Sequence, residues 1–421
     1  MQSLRQIRET FTNRNVAVLT ITQTLFMFPA FLWWPYRSLF ILELGASKEL
    51  LGLLLMIETL AQVVFQLPGG ILADRLGRRK LIIIGSLFRI ASPLLYLSST
   101  TWIHIAPALA ISSAAMLSLP ATNAMIAESL PVEKRSAGFA AYRTVTWMPM
   151  IITSSIGGVF MDYYGVVQGV RICLYIAFGL SLVSTVLRWR FVEETYTQLD
   201  IPRNPVNLCA RASATSSISA NLKEVPREIW VLVIVAALSG FSMRVVWSFM
   251  VVYAVEIVGL TKTQWGLLGT MVSIVTTLLT YPGGMLADRI GKKPCIIISR
   301  IFSPFSTIGF IFSRNFWHMA VVRVFGGLAQ GFGGVVWGPM GGPVWQALVA
   351  DLTPARSRGR MMGLIGSITG VVSTPSSWIG GYMYDNISPA LPFQVSFFLD
   401  IIATAIFVIF LREPEASKRA K

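Results

Sequence analysis

Two side chains of opposite charge, Glu58 and Arg89, stand inside long apolar runs. An ionised group is costly there, which makes each a site candidate by default. Both flank one basic loop. At ~1.5 Å rise per helical residue, Glu58 lies roughly 24 Å before Asp74 and Arg89 roughly 13 Å beyond Lys80, which brings them within reach of each other. Two readings are open: a structural ion pair between neighbouring helices, or a carboxyl that takes up and releases a proton as its surroundings change. Arg37 and Arg244 fall in the first and seventh apolar runs, Arg143, Arg300 and Arg323 nearer the ends of others, and Asp400 in the last. Asp400 is expected to be structural. Six embedded arginines against two embedded acids leave an excess of positive charge. In a low-dielectric site this disfavours cationic ligands and favours anionic or neutral amphipathic ones.

A second set offers apolar walls with a few placed polar groups, the usual make-up of a small-molecule cavity. It comprises Trp33 and Trp247, Asn123 and Gln346, with Trp147, Trp337 and Trp345 nearby. Tryptophans of membrane proteins also gather at the two interfaces as anchors, so each ring has both readings. No catalytic signature accompanies them. H-E-x-x-H, G-x-S-x-G and G-x-x-x-x-G-K-[ST] are missing from the sequence. Cys173, Cys209 and Cys295 show neither a disulfide framework nor metal-ligand spacing. Neither a cofactor nor a metal is expected.

The elements that must position these residues follow from composition. Of 421 residues, 54% are hydrophobic and only 13% charged, with a mean hydropathy of +0.64. Soluble domains carry about 25% charged residues, so too few polar groups exist to coat a globule. Soluble enzymes, nucleic-acid binders and secreted scaffolds are excluded. Runs of about 20 apolar residues cross a bilayer as helices, and twelve are predicted: 16–42, 50–72, 80–99, 103–127, 138–161, 169–190, 229–257, 264–287, 294–313, 316–349, 361–384 and 391–411. The first follows Arg5, Arg8 and Arg14, far exceeds a signal-peptide core and is expected to stay as an anchor. The tenth is rich in glycine from Gly326 to Gly342, with Pro339 and Pro343. It predicts either tight packing or a hinge. The stretch 191–228, with Pro202, Pro205 and Pro226 and the run Ser213 to Ser219, reads as a linker. The expected organisation is a bundle over 1–190, the linker, and a second bundle over 229–421.

Basic residues set the orientation. The side holding both termini and the even-to-odd loops collects 25 of the 35 Lys and Arg, and the opposite loops hold Lys48, Arg171, Lys262 and Arg314. The rich side is expected in the cytoplasm. The pI near 10.1 then expresses topology, with anionic lipid as a partner and no nucleic acid.

The two halves repeat. Pro68-Gly69-Gly70-Ile71-Leu72-Ala73-Asp74-Arg75-Leu76-Gly77-Arg78-Arg79 matches Pro282-Gly283-Gly284-Met285-Leu286-Ala287-Asp288-Arg289-Ile290-Gly291-Lys292-Lys293 at an offset of 214, which also pairs Trp33 with Trp247 and Gly52 with Gly266. Downstream an offset of 223 pairs Asn123 with Gln346, Glu128 with Asp351, and Ile156-Gly157-Gly158…Asp162 with Ile379-Gly380-Gly381…Asp385. A duplicated unit of six helices gives two parallel repeats.

The loop from Gly69 to Lys80 resembles the G-x-L-a-D-r-x-G-r-k signature of the major facilitator superfamily, with a second copy at 283–293. The resemblance covers essentially the whole chain. It implies an all-α membrane protein of twelve transmembrane helices, cytoplasmic termini, and alternating-access transport of a solute through a cavity between the halves. It also implies a conformational latch formed by Gly69, Gly70, Asp74, Arg75, Gly77 and Arg78 and by Gly283, Gly284, Asp288, Arg289, Gly291 and Lys292. In the family's manner Asp74 would meet the helix start near Arg360, and Asp288 the one near Gly138. Two family patterns are missing. Thr153 and Ser154 replace the G-P pair of drug/proton antiporters, and no arginine lies between Ile103 and Glu128, although Arg323-Val324-Phe325-Gly326-Gly327 offers a related arrangement.

The expected function is a secondary active transporter of the plasma membrane, monomeric and proton-coupled, exporting amphipathic or anionic small molecules. An uptake symporter or uniporter is the alternative. A transport-dead receptor and an intramembrane enzyme are more remote ones.

Overall fold

The computed structural model describes residues 11–131, 135–195, 226–333, 342–353 and 358–411. The side chains of Leu67, Ile71, Asp74, Ala140 and residues 135–137 and 358–360 lie outside the description. All regular structure among the described residues is helical: α1 (Arg14–Trp33), α2 (Arg37–Glu43), α3 (Lys48–Leu76), α4 (Arg78–Ser98), α5 (Ile105–Ala114), α6 (Leu119–Glu128), α7 (Arg135–Trp147), α8 (Met150–Tyr164), α9 (Val166–Phe191), α10 (Arg227–Trp247), α11 (Met250–Glu256), α12 (Lys262–Ile290), α13 (Lys292–Phe312), α14 (Phe316–Phe332), α15 (Pro343–Leu352), α16 (Arg358–Ser373), α17 (Ser376–Asn386) and α18 (Leu391–Phe410). Short 3-10 turns join several of them into longer rods. Among the described residues, ten of the rods are long and apolar enough to cross a membrane. An apolar medium leaves the backbone no partner but itself, so helices are the form these runs must take.

Local sequence sets the helix ends. Asn13, Ser47, Thr261 and Asn315 cap α1, α3, α12 and α14 with side-chain oxygens, and Thr261 forms a full capping box with Gln264. Between α3 and α4, and between α12 and α13, the chain reverses on a single residue. Those residues are Gly77 and Gly291, with φ of +89° and +103°, a region that a side chain would disfavour. The signature glycine therefore makes the tight turn that sets adjacent helices side by side.

Apolar packing differs between the two ends of the molecule. At the end away from the signature loops a single core is shared by both halves. Leu32, Tyr36, Phe40 and Leu51 of the first half pack with Val245, Phe249, Tyr253 and Trp265 of the second. At the signature-loop end each half keeps its own core. Val16, Ala73, Leu81 and Met125 belong to one, and Ile229, Cys295, Trp345 and Phe407 to the other. Among the described residues the halves share a core at one end and pack separately at the other.

Candidate functional site

A charged cluster bridges the halves at middle depth. Arg37, at the start of α2, lies with its Nη1 at 2.9 Å from Oε1 of Glu58 in α3. Gln62, one turn further along α3, donates to the same oxygen at 3.3 Å. From the other half, Arg244 of α10 donates to Oγ1 of Thr59 at 2.9 Å. Glu58 is buried, and Trp34 lies under the Arg37 guanidinium at 5.9 Å. One carboxylate thus stands beside two guanidinium groups, one from the first apolar run and one from the seventh. Removing solvent strengthens each of these interactions and raises the cost of leaving any one unpaired. Protonation of Glu58 would release Arg37 and leave the cluster with two uncompensated cations.

This corrects the expected Glu58–Arg89 pair. Arg89 points to a different helix, donating from Nη1 to Oε1 of Gln23 at 2.8 Å and stacking on Phe26 at 4.2 Å. Rise along a helix carries no azimuth, and it is Arg37 that packing brings to Glu58. Arg300 and Asp400 pair at 3.6 Å, both buried inside the second bundle. Arg143 is exposed. Arg323 has no carboxylate partner among the described residues. It lies over Trp265 at 5.1 Å and lines a small cleft with Met243, Trp247, Met250 and Gln330.

The aromatic and amide set is not gathered into one cavity. Trp247 lines the Arg323 cleft. Its counterpart Trp33 packs edge-on to Tyr96 at 5.0 Å between ring centres. Gln346 borders a separate space with Trp345, Val349 and Met362. Trp147 is 47% exposed and lies against Phe31, and Asn123 is exposed. Trp337 lies outside the described residues.

The signature loops hold together within each half. Arg78 pairs with Glu128 at 3.1 Å and donates to the Ala73 carbonyl, and the equivalent Lys292 pairs with Asp351. A Cβ on Gly69 would sit 2.5 Å from the Leu117 carbonyl oxygen, and one on Gly283 2.6 Å from that of Gly331. Gly70 and Gly284 have nothing within 4 Å. The first glycine of each pair therefore permits close helix approach, while the second stands open. Arg75, Arg289 and Asp288 are exposed, and Asp288 contacts no start of a helix among the described residues. The side chains of Asp74 and Arg360 lie outside the description.

Further contacts join the halves at the opposite end, and the aspartate caps among them are two-fold. Asp162, at the end of α8, accepts from the backbone N–H groups of Lys262 and Thr263 at 3.0 and 2.7 Å. Asp385, its equivalent in α17, accepts from the backbone N–H of Glu49 at 2.8 Å. Each aspartate satisfies free N–H groups and the positive end of a helix in the other half. Alongside, a Cβ on Gly52 would meet the Ser377 carbonyl oxygen at 2.2 Å, and one on Gly266 that of Ser154 at 2.4 Å. Lys48 pairs with Glu256 at 3.2 Å, and the Tyr36 hydroxyl donates to the carbonyls of Ser154 and Lys262. Sequence reasoning paired Asp162 with Asp385 in the repeat without assigning them a role. The aspartate that follows a Gly-Gly pair in both copies was the available signal.

A family model described as Major Facilitator Superfamily matches residues 19–239 and again 232–421. The quinolone resistance protein NorA of Staphylococcus aureus is 30% identical over 161 residues, covering 38% of this chain. The chain spans 39% of the length of that relative. The MFS-type transporter MJ1317 of Methanocaldococcus jannaschii is 24% identical over 405 residues, 93% of each chain. Among solved structures, a D-xylose–proton symporter superposes with a TM-score of 0.73 at 17% identity, covering 96% of this chain and 98% of its own. The nucleoside transporter NupG does so with 0.71 at 14%, covering 94% and 100%.

Proposed function

The chain belongs to the major facilitator superfamily, whose members are transporters and not enzymes, and we propose that it is a proton-coupled secondary active transporter of small organic solutes. It is a multi-pass protein of the cell membrane. The observation that carries the proposal is the Arg37–Glu58 pair beside Arg244. A buried carboxylate that holds an arginine of its own half, next to an arginine of the other, links proton uptake to the relation between halves. When Glu58 is charged, Arg37 is neutralised and the cluster is closed. When Glu58 is protonated, Arg37 and Arg244 present two cations to whatever occupies the space between the halves.

The solute in this reading is anionic or amphipathic, because the cluster carries net positive charge at middle depth. With the basic loops in the cytoplasm, the joined end faces outward and the described conformation opens toward the cell interior. Export is the direction we favour, in line with the partial similarity to a quinolone resistance protein. Uptake is the second reading, favoured by the fold shared with a D-xylose–proton symporter. Residues 1–190 and 229–421 are the proposed bundles, joined by the linker, and the proposed transporter acts as a monomer.

The test is transport in proteoliposomes. Glu58→Gln is expected to abolish accumulation driven by a proton gradient while sparing solute counterflow. Loss of both with folded protein retained, or retention of both, would refute the coupling role.

A further inference from the structure

The two bundles bury polar clusters on equivalent helices but balance them differently. In the second half, Arg300 of α13 donates to Ser239 of α10 at 2.9 Å and meets Asp400 of α18 at 3.6 Å. Helices α10, α13 and α18 correspond to α1, α4 and α9 in the repeat. There the same three helices bring together Gln23, Arg89 and Arg188. Arg188 is 1% exposed and spends its donors on Thr22, Ser86 and Gln23 at 2.9, 3.0 and 3.1 Å. Arg89 donates only from Nη1, to the same Gln23 oxygen at 2.8 Å. Where the second half places an acid on its last helix, the first half places another arginine.

The consequence is electrostatic. Two guanidinium groups share one neutral amide oxygen, and neither meets a carboxylate among the described residues. Buried charges are ordinarily paired, and two like charges in a poorly polarisable medium repel strongly. Arg188 is hydrogen-bonded at every one of its three nitrogens. Arg89 is not: its Nε is buried without a partner, its side chain is partly exposed, and Phe26 holds its guanidinium plane from one face. The donors Arg89 leaves unpaired, its Nε among them, lie in one plane, a fork suited to two oxygens of one anion.

We propose that Arg89, backed by Arg188 and Gln23, is an anion-binding site of the first bundle that takes a carboxylate or a small inorganic anion. The ligand completes the charge balance that Asp400 supplies in the other half. It is separate from the Arg37–Glu58–Arg244 cluster.

The experiment uses the full-length protein in detergent and reads melting temperature. Chloride, sulfate, acetate and benzoate are titrated at matched ionic strength into the parent, Arg89→Gln, Arg89→Lys and Arg323→Gln. A ligand of the folded state raises the melting temperature along a saturable curve. The expected result is such a curve for at least one anion with the parent and with Arg323→Gln, and its loss in Arg89→Gln. Should Arg89→Gln not fold, Arg89→Lys decides, since a point charge without the fork is expected to need at least tenfold more carboxylate. A response confined to chloride or sulfate identifies a resident inorganic ion, and one to acetate or benzoate identifies the carboxylate of an organic solute. Parallel curves for the parent and the Arg89 variants with every anion, or no saturable curve at all, would overturn the proposal. The measurement involves no transport, so it stands or falls apart from the transporter reading.

Discussion

The carboxylate of Asp162 caps the helix that starts at Lys262, accepting its backbone N–H at 3.0 Å from across the boundary between the two halves. The repeat supplies the same device on the other flank, where Asp385 caps α3. Both lie at the end where one apolar core serves both halves. A carboxylate is a strong partner for free N–H groups at a helix start, and each half keeps a core of its own at the other end. That combination suits a contact that must open and close.

Removing a helix cap costs ~1 kcal/mol, which is about fivefold in the ratio of separated to joined halves. Asp162→Ala and Asp385→Ala are each expected to produce that shift, and the double variant roughly the product, since the sites are independent. Spin labels at Gln168 and Arg314, both exposed near that end, report the distance.

Gly52→Ala and Gly266→Ala push a methyl group into carbonyl oxygens 2.2 and 2.4 Å away. Backbone cannot yield as a flexible side chain can, so the joined end is expected to open in both variants. The same spin-label pair should show a longer distance. Gly284→Ala, with nothing within 4 Å, is expected to be neutral. An unchanged distance in Gly52→Ala would show that the helices slide to accommodate the methyl group, and would discount the close approach as a gate.

Breaking a buried ion pair from one side costs ~3–5 kcal/mol, whereas replacing both partners is far milder. Glu58→Gln alone is therefore expected to lower the melting temperature more than the double variant Arg37→Gln/Glu58→Gln. Equal losses in the single and double variants would mean that Arg37 finds another partner, with solvent the first candidate.

The proposed anionic solute is tested at the same cluster. Arg37→Gln and Arg244→Gln, measured against a panel of anionic, neutral and cationic solutes, are expected to lose transport of the anions by at least tenfold and to retain neutral solutes. Efficient transport of lipophilic cations by the parent protein would contradict the assignment.

Hydropathy over 20 residues and a repeated loop need no partner to be read, so the chain alone established a membrane-embedded helical protein built from two copies of one unit. The residues out of place in hydrocarbon were equally plain: Glu58, Arg37, Arg89, Arg244 and Asp400 were all legible as embedded charges. Which of them meet was left to packing. Rise along a helix fixes depth, but rotation about its axis and the choice of neighbour depend on the assembled bundle. Hence Glu58 meets Arg37 and not Arg89, and Trp33 and Trp247 have different surroundings despite equivalent positions. Arg188 was not singled out in the sequence, and burial against Thr22, Ser86 and Gln23 makes it part of an interior cluster. The contacts between the halves were equally out of reach, since a cap such as Asp162 on Lys262 joins residues 100 apart. No local propensity encodes that pairing, because the free N–H groups of a helix start donate to any carboxylate that the assembled fold brings to them.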